Sequence, residues 1–176
     1  MFTLRGTRKL LKRLSAQPTS AAITATTVLG DWYANLLYTR PQQLVIAMSE
    51  RSLLCVLVPA APGDQLRRRL QEAVSDLLLA IGVPPAAVTS EAAAMESMAI
   101  GTTASHRVLG CMNDAVAQLG AYPRGPTDQL LLRDAELHLA ENIYSLTNHQ
   151  TPWCKTLDLF GVSNGVVHRP RGPWPH

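Results

Sequence analysis

The stretch "LGDWYANLLYT", residues 29–39, decides how this chain is read. Trp32, Ala34, Leu36 and Tyr38 alternate with Tyr33, Asn35 and Leu37, and period two is the spacing of a strand. Two further runs follow closely, "QLVIAMS" (43–49) after a break at "RPQ" and "SLLCVLVP" (52–59) after "ER". Connections this short join strands antiparallel, because a parallel return needs a crossover of a dozen residues or more. The second and third runs are nearly all apolar, so at least one is expected to be central and covered on both faces.

Beyond "APG" the period changes. From Asp64, which has the chemistry of an N-cap, Leu66, Leu70, Val74, Leu77, Leu78 and Ile81 recur at helical spacing until Gly82. "VPP" starts a second helix expected to reach Met98, with proline in its first turn. "MAIGTT" (98–103) reads as a short strand or a loop. Leu109, Met112, Val116 and Leu119 mark a third helix that "YPRGP" (122–126) ends. Residues 128–144 carry the period of a fourth, and "TPWCKTLDLF" (151–160) that of a last short one. Strands first and helices after give an α+β fold, a small antiparallel meander covered by helices. A single domain is expected over residues 1–160, with the Pro-rich residues 161–176 as a flexible tail.

Upstream, "FTL" reads as a short strand and "TRKLLKRLS" (7–15) as a basic helix, with Leu10, Leu11 and Leu14 along one edge and Thr7 as N-cap. The rival reading is an organelle transit peptide, since the segment is rich in Arg, Lys, Ser and Thr and has no acid before Asp31. The leucine edge needs burial, which favours the folded reading; residues 16–28 then form a loop.

With 176 residues, 47% hydrophobic and 16% charged, the chain can bury a core without disulfides or metal. Its three cysteines, Cys55, Cys111 and Cys154, show no CxxC spacing, which argues against a disulfide framework or structural zinc and for a reducing compartment. His106, His138, His149, His168 and His176 lack metal-ligand spacing, so neither a metal nor another cofactor is expected. No run of eighteen apolar residues is present, and a membrane partner is not expected. The expected location is the cytoplasm.

Four segments, "FTLRGTRKLLKRL", "LGDWYANLL", "VIAMSERSLL" and "RVLGCMND", taken in that order, resemble a family of small bacterial proteins known as a domain of unknown function. The resemblance runs from Met1 to about Leu146 and supports a folded N-terminus. It implies no activity, cofactor or partner. It maps the family's most recognisable polar positions onto Asp31, Trp32, Asn35, Asn113 and Asp114. This chain departs from the pattern at His106, where an arginine is expected, and again along "NIYSLTNHQ" (142–150).

Two functional classes remain open. In "SHRVLGCMNDA" (105–115), Ser105 is placed to cap a helix whose first-turn amides, with His106, Arg107 and a carboxylate, would suit an anion. Asn35, His106, Arg107, Asn113 and Asp114 would then line a pocket between sheet and helix, in a small enzyme acting on a phosphorylated or otherwise anionic substrate. The simpler alternative makes Ser105 a cap, pairs Arg107 with an acid, and has Asn113 bond the sheet backbone from the border of the buried face. A Ser105–His106 nucleophile is disfavoured, since neighbours in sequence rarely align and no GxSxG elbow is present. The other class is a non-catalytic module. Arg5, Arg8, Lys9, Lys12 and Arg13, with the consecutive Arg67, Arg68 and Arg69, concentrate positive charge in a chain of net charge only +3. They would hold an anionic partner, nucleic acid or an acidic protein. This second class is preferred, because no catalytic constellation has a workable spacing.

Overall fold

In a computed structural model of the chain, which describes residues 1–19, 23–39, 42–120 and 129–162, the meander forms one side of a five-stranded sheet. Strands β2 (Trp32–Leu37), β3 (Leu44–Ser49) and β4 (Cys55–Pro59) pair antiparallel, with Trp32 opposite Ser49 and Ile46 opposite Leu57. The sheet then continues through β1 (Phe2–Gly6), which lies between β2 and β5 (Met98–Thr102) and is parallel to both. Its order is β4-β3-β2-β1-β5, so the α+β fold is built on a mixed sheet rather than a purely antiparallel one.

The parallel part follows from the connections. Helix α1 (Arg8–Leu14) lies between β1 and β2, while α2 (Leu66–Ala80) and α3 (Pro85–Ala94) precede β5. Those crossovers are long enough for a parallel return. The expected strand "FTL" is therefore an interior strand, and the N-terminal segment belongs to the fold.

Alternation sorts the strand residues onto two covered faces. Phe2, Leu4, Trp32, Ala34, Val45, Ala47, Val56 and Val58 pack with Leu10 of α1, the leucine stripe of α2, and Trp153 and Leu157 of α6 (Pro152–Leu159). Tyr33, Ile46, Met48, Cys55 and Leu57 face the other way, against Val108, Met112 and Ala115 of α4 (His106–Gly120) and Leu132, Ala135 and Leu139 of α5 (Gln129–Ala140). Helices on both faces explain why every residue of β3 is buried.

Several boundaries differ from expectation for local reasons. Asp64 sits in a 3-10 turn (Gly63–Gln65), and α2 begins only at Leu66. Helix α3 stops at Ala94, freeing Met98 to pair with Phe2 at the start of β5. Helix α5 ends at Ala140, and Tyr144 instead leads into a 3-10 turn (Ser145–Thr147). Thr7 occupies the N-cap of α1 but does not cap it; its hydroxyl donates to Asn35 Oδ1 at 2.8 Å. The "YPRGP" break, Asp128 and most of the Pro-rich tail lie outside the described residues.

Candidate functional site

Helix α1 separates charge from grease along its length. At about 100° per residue, Arg8, Lys9, Lys12 and Arg13 span roughly 140° of the circumference, opposite Leu10, Leu11 and Leu14. Leu10 is fully buried, whereas all four cations are exposed. None of the four meets a carboxylate of a described residue: Arg13 Nε donates to Gln43 Oε1 at 3.1 Å, and Lys9 Nζ stands 5.9 Å from the ring centre of Tyr38. Tyr38 is itself 68% exposed.

The other four basic residues of the expected anion-binding set, Arg5 and Arg67 to Arg69, each have partners within the fold. Arg5 lies on β1 and grips the buried Asp31, with Nε at 3.0 Å and Nη2 at 2.8 Å from Oδ2, while Asp31 Oδ1 accepts from Thr3 N at 2.9 Å. The run Arg67–Arg69 fans out around α2 and forms no common patch. Arg67 donates to Gln71, Arg68 pairs with Glu72 at 3.3 Å, and Arg69 donates to the carbonyls of Ala61 and Pro62. Three consecutive helical positions diverge by construction. Expected as one anion-binding set, the eight residues divide into the α1 face and two groups with partners of their own.

Of the five pocket candidates, Asn35 is half-buried on β2, its Oδ1 accepting from Thr7 and from Leu36 N at 2.9 Å. His106 and Arg107 are exposed in the first turn of α4, and Ser105 caps that turn by accepting from Val108 N at 3.3 Å. Asn113 and Asp114 are also exposed. No hydrogen bond or ion pair joins any two of the five. Asn113 therefore does not bracket the sheet: Met112 and Ala115 take the buried face of α4 and turn Asn113 outward. Nearby, burial raises the Tyr33 hydroxyl above its ordinary value and Glu50 adds to this, while Arg5 and the amides of Ser105 and Ala104 draw it back.

A separate cleft of about 550 Å³ opens at the free edge of β4, between α2 and α5. Ala60 N donates to Gln43 O and Ser49 N to Leu54 O, so the even-numbered residues around β4 face β3 and the odd-numbered ones face outward. Of these, Pro59 has no N–H, and Leu57 N donates to Glu136 Oε1 at 2.7 Å. A proline and a carboxylate thus block strand addition at two of the three outward positions of β4. Glu136 Oε2 lies 3.0 Å from Arg133 Nη1, close enough for an ion pair but not aligned as a hydrogen bond. Arg133 also reaches Asp76 of α2 at 3.7 Å. Burial pushes Glu136 up to about 7, against the pull of Arg133 and the Leu57 amide.

With that geometry in place, comparison with known proteins gives one match: the model of a domain of unknown function, DUF6933, covers residues 3–155. The chain belongs to the DUF6933 family. No curated protein and no solved structure matches it. The matched span runs from β1 into α6 and includes the cationic helix, the cleft and all five pocket candidates. Among the described residues, no group of three or more His, Cys, Asp or Glu is arranged to hold a metal ion, and no helix is long and apolar enough to cross a membrane.

Two buried carboxylates in this DUF6933 domain escaped the sequence reading. Glu91 of α3 accepts from Val28 N at 2.7 Å and Leu29 N at 3.1 Å, fastening the loop before β2, and burial raises it. Glu136 is the second. The available signal was position: Glu136 falls in the stripe of Leu132, Ala135 and Leu139, and an acid in an apolar stripe demands a partner.

Proposed function

We propose that this domain is a non-catalytic binding module that holds nucleic acid on the outer face of α1. The observation that carries the reading is the set of four exposed cations, Arg8, Lys9, Lys12 and Arg13, on one face with no described carboxylate among them. A charged face whose charges are not spent within the fold is available to phosphates, and such contacts release counterions. Tyr38 favours nucleic acid over an acidic protein, because an exposed ring beside a lysine offers a base a stacking surface as well as charge. The three free cysteines support a reducing compartment such as the cytoplasm.

A fluorescence anisotropy titration at about 50 mM salt, where phosphate contacts are strong, tests the reading. The wild type is expected to bind single-stranded and duplex oligonucleotides. Changing Arg8, Lys9, Lys12 and Arg13 to Gln should abolish both, whereas changing Arg67 and Arg68 to Gln should do little. Tyr38→Ala should weaken the single strand about tenfold, the worth of one stacked base, and the duplex less. No binding by the wild type, or equal effects of the two sets of charge changes, overturns the proposal; an acidic peptide bound in place of nucleic acid does so as well.

A further inference from the structure

The hairpin between β2 and β3 delivers two side chains to the flank of α1. Leu37 and Leu44 are the last opposed pair, so Tyr38 and Gln43 stand one step further along, side by side across the mouth of the hairpin. Alternation puts both on the α1 side of the sheet, with Leu36 and Val45. Thr39 Oγ1 donates to Gln42 O and Ala60 N donates to Gln43 O, so the mouth is closed and Gln43 is pinned by the residue after β4. Lys9 and Arg13, one turn apart on α1, reach these same two side chains. Lys9 Nζ stands 5.9 Å from the Tyr38 ring centre, and Arg13 Nε donates to Gln43 Oε1 at 3.1 Å.

We propose that Tyr38 and Gln43 form a subsite for one nucleobase of a single strand, stacked on the Tyr38 ring and hydrogen-bonded at its edge by the Gln43 amide. This rests on the nucleic-acid reading of α1, whose cations hold the adjoining phosphates. Tyr38 is 68% exposed and Lys9 meets it from one side, which leaves ring surface for a base. Chemistry fixes the direction of the Gln43 amide. A guanidinium only donates, so Arg13 takes the amide oxygen, and Nε2 is left with two donors that no described residue accepts. Side chains directly opposite each other have Cβ atoms about 5 Å apart, close enough for one base to meet both. Its carbonyl oxygens or ring nitrogens would supply the acceptor that Nε2 lacks. A duplex keeps its bases stacked and paired, so it can use the phosphate contacts but not the subsite.

Anisotropy competition on the full chain at about 50 mM salt tests this with three short DNA strands. One is wholly abasic, one is abasic except for a single thymine, and one carries difluorotoluene, a thymine-shaped ring without a strong acceptor, in place of that thymine. The thymine strand should bind at least about tenfold more tightly than the abasic strand, the worth of one stacked base. The difluorotoluene strand should bind about fivefold more weakly than the thymine strand, the worth of one net hydrogen bond. Tyr38→Ala should remove the gain of thymine over the abasic strand, and Gln43→Ala should make thymine and difluorotoluene bind alike. The subsite is overturned if the wild type binds abasic and thymine strands alike, or thymine and difluorotoluene alike. The α1 reading survives either result as long as changing Arg8, Lys9, Lys12 and Arg13 to Gln still abolishes binding. Failure of all three strands to bind the wild type sinks both.

Discussion

Replacing Glu136 with Gln isolates the cost of holding a carboxylate against the edge of β4. The glutamine amide oxygen can still accept from Leu57 N, so packing and the edge contact are retained while the charge is removed. In the folded protein burial raises this group from 4.5 to about 7, although Arg133 opposes the shift. The folded-state pKa is the higher one, so the unfolded chain releases the proton first as pH rises. The group's stabilising contribution is full below about 4.5 and is lost as pH climbs toward 7. A shift of that size corresponds to about 3 kcal/mol at 1.36 kcal/mol per pH unit. Urea melts of both proteins at several pH values between about 5 and 8 read it directly. The stability difference should move in favour of Glu136→Gln by up to about 3 kcal/mol across that range. A difference that stays flat with pH would show that Glu136 ionises as an ordinary carboxylate and that its burial is not felt.

Three further substitutions probe the frame. Asp31→Ala strands Arg5 and leaves Thr3 N unpaired inside the sheet, so it should cost on the order of 3 kcal/mol in a denaturant melt. Gly101→Ala places a methyl 2.8 Å from Thr3 Cγ2 at the β1–β5 pairing and should cost about 1–3 kcal/mol by thermal melt; no loss would mean that β5 can shift freely. Asn113→Ala, on the exposed side of α4, should change stability by less than about 0.5 kcal/mol, and a clear loss would restore a structural role for that side chain.

What could be read in the sequence was local. The meander follows from alternation in residues 29–39 and from the short apolar runs 43–49 and 52–59 set off by brief breaks, and α2 from its leucines, because period and turn chemistry act over a few residues. The parallel pairings of β1 were not legible. "FTLRG" carries no mark of its partners, which lie 28 and 96 positions away at Trp32 and Ile100. The cleft joins α2 to α5 across some 60 residues of chain, and Glu136 becomes significant only when Leu57 N arrives beside it. The divergence of Arg67, Arg68 and Arg69, by contrast, was implicit in the helix assigned to them. Met112 alone puts Asn113 at the border of the buried face; the burial of Ala115 as well leaves it exposed.

The salt dependence of nucleic-acid binding tests the α1 reading most directly. Each phosphate neutralised on duplex DNA contributes about −0.9 to the slope of log K against log salt, so four contacts predict a slope of roughly −3.6 for the wild type. The protein with only Lys12 and Arg13 changed to Gln should still bind measurably, with a slope of roughly −1.8. A variant that keeps the parental slope would place the contacts elsewhere and contradict the account.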